Sequence, residues 1–298
     1  MRIFLTGGSG FIGRYLIREL NGNQILALTR RKPKLGSFAG VEWLFGDLEQ
    51  TDQWEEKLIQ FGPEVCIHLA WEGLPDYSKE VSEKNVKLSA NLFTVLRRAN
   101  VRRIVALGSC WEYGDIQGQV SEAQDTKPKS YFATAKVQVC ESLMKESLVA
   151  GIEFVWQRIF FSYGPGQRTT ALLPTVVTAL ENQQLPKIES PDLAQDFVFV
   201  SDVAEAIALT STRSKVEGIF NVGSGQLTQV GDFVNIVSAQ LGSTFRTHVS
   251  GEPIGMFASV KKLKIDVGWK PKYSLRQGVA ETVKTLKKKS DSCRFYKP

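Results

Sequence analysis

Thr6-Gly7-Gly8-Ser9-Gly10-Phe11-Ile12-Gly13 is the stretch on which the fold of this chain turns. Its glycines at 7, 10 and 13 have G-x-x-G-x-x-G spacing. Before it, Arg2 to Leu5 reads as a strand. After it, Ile12, Leu16, Ile17 and Leu20 share one face of a helix. A glycine loop between a strand and a helix brings backbone N–H groups close to a pyrophosphate, at the positive end of the helix. Gly7, Ser9, Gly10, Phe11, Ile12 and Gly13 are therefore the expected dinucleotide contacts. A purely structural glycine turn accounts for the bend but not for its place between these two elements.

Outward from the loop, short apolar runs alternate with helical patterns. Strands are expected at Gln24 to Leu28, Val41 to Phe45, Val65 to Leu69, Arg103 to Leu107 and Phe154 to Gln157. Leu88, Leu92, Val95, Leu96 and Ala99 mark one intervening helix, and Ala133, Val137, Cys140 and Met144 another. This rhythm predicts an α/β chain with a doubly wound, Rossmann-type parallel sheet. It changes at Tyr163-Gly164-Pro165-Gly166. We expect a dinucleotide-binding domain over 1–165, with part of 192–222. A smaller, interlocked α/β substrate domain is expected over 166–298.

Composition narrows the function classes. The chain has 298 residues, 43% hydrophobic and 23% charged, as in ordinary globular proteins. No apolar run approaches the roughly 18 residues of a membrane span. The N-terminus is glycine-rich by residue 7, unlike a signal peptide, so a cytoplasmic protein without membrane contact is expected. Cys66, Cys110, Cys140 and Cys293 lack C-x-x-C spacing and read as free thiols. With only His68 and His248 besides, no metal site is expected. The net charge is +6, with cations at Lys261, Lys262 and Lys264 and from Lys284 through Lys289. These lack interleaved aromatics, so a solvated basic face is expected rather than a nucleic-acid surface. Such a face speeds the capture of an anionic substrate.

The second strand ends in Leu28-Thr29-Arg30-Arg31-Lys32, where an NAD site usually carries an acid for the ribose 2′-hydroxyl. Thr29 and Arg30 with the following cations suit a 2′-phosphate instead. NADP(H) is therefore expected ahead of NAD. Asp47 and Leu48, after the third strand, are expected near the adenine; for Asp47 a turn-capping role is the alternative.

Further motifs follow in order. His68-Leu69-Ala70, Ser109 to Gly114, Arg158 with Tyr163-Gly164-Pro165, Asp196 to Val203, Asn221 to Gly225 and Gly268-Trp269-Lys270-Pro271 each carry a pattern. Together with the glycine loop they resemble the extended short-chain dehydrogenase/reductases, the NAD-dependent epimerase/dehydratase family. Within it, the chain resembles nucleotide-sugar 4-ketoreductases. It departs from the family's R-D-F-x-x-V-x-D-V at Gln195. The resemblance places Leu69, Ala70 and Lys136 at the cofactor and Trp71 and Trp111 beside the cleft. His68 becomes a cofactor-shell residue without chemistry.

The resemblance also implies a reaction centre. Hydride moves between nicotinamide and a sugar carbon, and the sugar oxygen needs a proton donor. Ser109 and Lys136 occupy the serine and lysine positions. The catalytic tyrosine position, four residues before Lys136, holds Phe132. Tyr131 is turned about 100° away on the helix. Three explanations stand open: a designed Tyr-to-Phe change, natural catalysis through Ser109 or a water, and a nucleotide-binding protein without catalysis.

Dehydratases of the family carry Asp and Glu where this chain has Cys110 and Trp111, so dehydration is not expected. The expected reaction is NADPH-dependent reduction of a nucleotide-linked 4-keto-6-deoxysugar or dideoxysugar, as in the biosynthesis of bacterial surface polysaccharides. Gln167, Arg168 and Asp196 are expected at the nucleotide. A homodimer is expected through the helix near Asn85–Ala99 and the one bearing Lys136. An epimerase with tightly bound NAD and a non-enzymatic NADP-binding sensor are the alternatives.

Overall fold

The computed structural model describes residues 1–33 and 38–294, with side chains through residue 287. Lys288, Lys289, Cys293 and the tail from Ser290 thus lie outside the described side chains. The first half alternates as β1 (Arg2–Thr6), α1 (Gly13–Glu19), β2 (Gln24–Thr29), β3 (Val41–Phe45), α2 (Glu55–Phe61), β4 (Val65–His68), α3 (Lys79–Arg98) and β5 (Arg103–Ser109). A short β6 (Gly118–Val120) precedes α4 (Tyr131–Ala150) and β7 (Glu153–Ile159). Then come β8 (Phe161–Tyr163), α5 (Leu172–Glu181), β9 (Ala194–Gln195), β10 (Phe197–Phe199), α6 (Val200–Thr212) and β11 (Gly218–Val222). The chain continues through β12 (Thr228–Gln229), α7 (Val230–Gln240), β13 (Met256–Ala258), α8 (Lys261–Val267) and α9 (Leu275–Arg294).

Among the described residues, seven strands form one sheet in the order β3-β2-β1-β4-β5-β7-β11. Every pairing in it is parallel. This is the doubly wound sheet that the alternating runs predict. Its central strands are apolar on both faces because helices cover both. One layer packs Leu16 and Ile17 of α1 and the Leu20 that follows it with Val203 and Ile207 of α6. The other packs Leu58 of α2, Leu92 and Phe93 of α3 and Val139 and Leu143 of α4. The long helices start where serines cap them: Ser78 Oγ accepts from Val81 N, and Ser130 Oγ from Ala133 N. Gly151, in the left-handed region, ends α4.

The sheet order reverses at β1, which has β2 on one side and β4 on the other. A crevice opens beyond the carboxyl ends of strands at such a point. Thr6, Thr29, His68 and Ser109 are the last residues of their strands, so all four stand at that end of the sheet. The second half supplies β11 to the edge of the large sheet and forms small pairs β8–β10 and β9–β12, while β13 pairs with β6. Tyr163, Phe197, Phe199 and Phe233 build its own core beside α7 and α9.

Among the described residues no helix is long and apolar enough to cross a membrane, and no group of three His, Cys, Asp or Glu could hold a metal. Cys66, Cys110 and Cys140 are free and buried, and burial pushes all three thiols up, away from reactivity.

Candidate active site

The glycine loop is shaped by close approach. Gly7 has φ +74°, and a Cβ there would stand 2.7 Å from Ala70 N. A Cβ on Gly13 would stand 2.3 Å from Gly7 O. The turn closes with Gly10 N donating to Gly7 O at 2.9 Å. Above it lies a cleft of about 370 Å³. Of the residues expected at the cofactor, Gly7, Ser9, Gly10, Phe11, Ile12, Gly13, Thr29, Arg30, Leu48, Leu69 and Ala70 line this cleft. Asp47 does not. Its carboxylate accepts Glu49 N at 3.0 Å and its carbonyl accepts Trp54 Nε1 at 2.7 Å, so it shapes the turn after β3.

Trp71, expected beside the substrate, lines the cofactor cleft instead. Its buried Nε1 finds no hydrogen-bond partner among the described residues. An orphaned donor and a glycine-rich loop in one cleft fit a polar dinucleotide. His68 is held by Thr6 Oγ1 at Nδ1 (2.7 Å) and Ser89 Oγ at Nε2 (3.2 Å). Burial first, then the nearby Lys136 charge, push its pKa down to about 3. It is a neutral, satisfied residue beneath the cleft.

Charge spans the cleft mouth. Arg30 Nη1 lies 2.7 Å from Glu72 Oε1, and Lys84 Nζ lies 3.0 Å from Glu72 Oε2 and 2.5 Å from Glu49 Oε1. Glu72 itself lines the cleft. Sequence reading passed over it because it stands in the loop after β4, far from the place where an acid is sought.

At the inner end, Lys136 is buried in α4. Its Nζ donates to Leu107 O at 2.7 Å and lies 3.7 Å from the centroid of the Trp71 ring. Burial pushes its pKa down to about 7, against the pull of Glu112. One turn before it, Phe132 sits in an aromatic box. Its ring centroid is 5.4 Å from Trp71, 5.2 Å from Tyr77 and 5.7 Å from Trp111, all edge-on. Tyr131 points away and is 60% exposed. The phenol nearest in position is that of Tyr77, on the loop before α3. Its hydroxyl makes no hydrogen bond to any described residue. The sequence gives no period or spacing that marks Tyr77.

Ser109 is set by its neighbours. Its N–H donates to Glu112 Oε1 at 2.7 Å, and its Oγ accepts from Trp111 N at 3.2 Å. Glu112 is fully buried and paired with Arg158 at 2.8 Å, and also takes Trp156 Nε1. The strand β7 thus fixes the loop that carries Ser109. The sequence carries no signal for this role of Glu112, because its partners Arg158 and Trp156 stand on another strand.

A second cavity, of about 560 Å³, adjoins the first across Leu74. Ser109, Trp111, Phe132, Tyr77, Gln167 and Arg168 line it together with Phe161, Phe197 and Phe233. Arg168 is the one cation among its described lining residues, and Gln195 stands in its wall. Gln167 Nε2 donates to Ser162 O at 3.0 Å. Asp196, expected at the nucleotide, is fully buried and lies elsewhere. It accepts Ser224 N and Oγ (both 2.6 Å), Gly225 N (3.0 Å) and Ala258 N (2.9 Å). Its four donors make it a tie between the junction of β9 and β10, the loop after β11 and β13.

Residues 3–223 match the model of the NAD dependent epimerase/dehydratase family. The chain is 26% identical to a dTDP-L-rhamnose 4-epimerase of Burkholderia thailandensis, covering 94% of this chain and 93% of that protein. It is 24% identical to a dTDP-4-dehydro-6-deoxyglucose reductase of Escherichia coli, covering 96% and 97%. Among solved structures, it superposes on the UDP-glucose 4-epimerase of Thermus thermophilus, in complex with NAD, with a TM-score of 0.84. The identity there is 25%, over 96% of this chain and 99% of that one.

Proposed function

The chain belongs to the NAD dependent epimerase/dehydratase family, and we propose that it reduces the 4-keto group of a nucleotide-linked deoxysugar. One observation carries this reading. Lys136, whose Nζ lies against the Trp71 and Phe132 rings, and Ser109, which lines the adjoining cavity with Phe132 and Trp111, converge on one aromatic box, where hydride donor and ketone would meet.

The nicotinamide group supplies the hydride when bound. The chain's residues do the rest. The loop Gly7–Gly13 would hold the pyrophosphate through backbone N–H groups. Lys136 would bind the nicotinamide ribose and place a positive charge by the reacting carbon. Ser109 Oγ would donate to the developing alkoxide, with its backbone held by Glu112 and its Oγ by Trp111 N. Phe132 offers no proton, so the proton would come from Ser109, from Tyr77 across the cavity, or from a water. Cys110 and Trp111 supply no acid/base pair for dehydration.

The cations after β2 support NADPH as reductant, whereas the carboxylate of Glu72 on Arg30 supports NADH. That ion pair also favours a second reading, an epimerase with resident NAD. Its relatives include a dTDP-sugar epimerase. Transfer of deuterium separates the two. With dihydronicotinamide deuterated at C4 and dTDP-4-keto-6-deoxyglucose, a reductase leaves the label on C4 of the sugar, one per cofactor oxidised. Interconversion of dTDP-sugar C4 epimers with no added cofactor consumed would overturn the reductase in favour of the epimerase.

A further inference from the structure

Sites of this fold that take NAD present an acid at the end of β2 to the adenosine ribose. Here β2 ends in Thr29-Arg30, and the acid arrives from the opposite wall. Glu72 follows β4 by a short loop and lines the same cleft as Thr29 and Arg30.

Its position is built rather than incidental. Glu72 N donates to Asn85 Oδ1 at 2.8 Å, and Asn85 Nδ2 donates back to Glu72 O at 3.1 Å. Asn85 is 3% exposed and also donates to Val81 O at 2.8 Å, so the clamp is anchored inside α3. The Glu72 side chain is 15% exposed, far less than its partners Arg30 (59%) and Lys84 (45%). One carboxylate oxygen meets each cation. With Glu49 on Lys84, two cations and two carboxylates form a chain without net charge, of which Arg30 and Glu72 line the cleft.

The consequence is electrostatic. The guanidinium that would receive a 2′-phosphate is already matched by a carboxylate 2.7 Å away. A phosphate monoester brings a charge of about −1.5 to −2 toward that carboxylate. A 2′-hydroxyl brings a donor, and a carboxylate already holding two cations retains lone pairs for it. We infer that Glu72 is the cofactor-selecting carboxylate of this chain, accepting the adenosine ribose hydroxyl of NAD(H) and repelling the 2′-phosphate of NADP(H). The inference rests on the proposed cofactor cleft and is independent of the sugar substrate.

Binding without any sugar tests it. NADH and NADPH are titrated calorimetrically into the full chain, into Glu72→Gln and into Glu72→Gln/Arg30→Gln. Circular dichroism serves as the check that each variant is folded. The wild-type chain should bind NADH the tighter. Glu72→Gln should shift the ratio of dissociation constants toward NADPH by about tenfold, the scale of a unit charge facing a phosphate near a protein surface. Removing Arg30 as well should cancel the gain, since Arg30 is the group that Glu72→Gln sets free. A wild-type preference for NADPH, or a ratio that Glu72→Gln leaves unmoved, overturns the inference while leaving the cofactor cleft standing. If neither dinucleotide binds the wild-type chain, the cofactor reading fails and the inference falls with it.

Discussion

Lys136 is buried with its Nζ on Leu107 O, and that burial has a measurable signature. In the folded chain its pKa is pushed down to about 7, while an unfolded lysine titrates near 10.4. Between these values the unfolded chain holds more protons than the folded one, so stability rises with pH. Below about pH 7 both states hold the proton, and the buried charge is present at full cost. The melting temperature of the cofactor-free chain relative to Lys136→Met should therefore climb from about pH 7 to about pH 10. A difference that stays flat over this window would contradict the burial of the amine. The roles of single residues were unevenly legible. Lys136, Ser109 and the missing hydroxyl at Phe132 are read from the family resemblance, whose pattern runs along one helix and one strand end. Glu72, Glu112 and Asp196 do not, because their partners come from other elements: Arg30, Arg158 and the backbone of residues 224, 225 and 258.

At the scale of elements, the glycine loop and the strand ends carry the site. The period of the apolar runs gave β1, β2 and β3 nearly to the residue, and β4, β5 and β7 with ends short or long by one to two positions. It missed β11, whose Gly218–Val222 completes the large sheet. An edge strand from a later, less regular part of the chain has no alternation around it to mark it. Loop geometry makes one prediction. Gly13→Ala sets a Cβ against Gly7 O and the Gly8 backbone, and should cost about 1–3 kcal/mol in denaturant unfolding. It should also weaken dinucleotide binding; unchanged affinity would show that the loop is not the pyrophosphate seat. The tie at Asp196 makes another. Asp196→Ala takes the acceptor from the buried Ala258 N, at about 1–3 kcal/mol for a buried group left unsatisfied, and from three part-buried donors at 224 and 225. Its melting temperature should fall steeply. A loss confined to sugar-nucleotide affinity, at wild-type stability, would return Asp196 to the substrate.

For the whole molecule, the crevice at the sheet's switch point and the aromatic cavity under the second half meet at one place. The family resemblance implies a dimer through α3 and α4, and α4 carries Met144, Leu148 and Val149 exposed. Light scattering should give twice the chain mass, reduced by Leu148→Asp; a monomer at all concentrations would contradict it. On the proposed function, this junction reduces a ketone and lacks one hydroxyl for doing so fast. The most direct measurement follows oxidation of NADH and of NADPH with dTDP- and CDP-linked 4-keto-6-deoxyglucose, for the chain and for Phe132→Tyr side by side. A positioned general acid is worth about 10²–10⁴-fold, so turnover by Phe132→Tyr should exceed that of the unaltered chain by about that factor, at equal cofactor affinity. If both bind dinucleotide and neither oxidises it with either sugar, the ketoreductase account is contradicted.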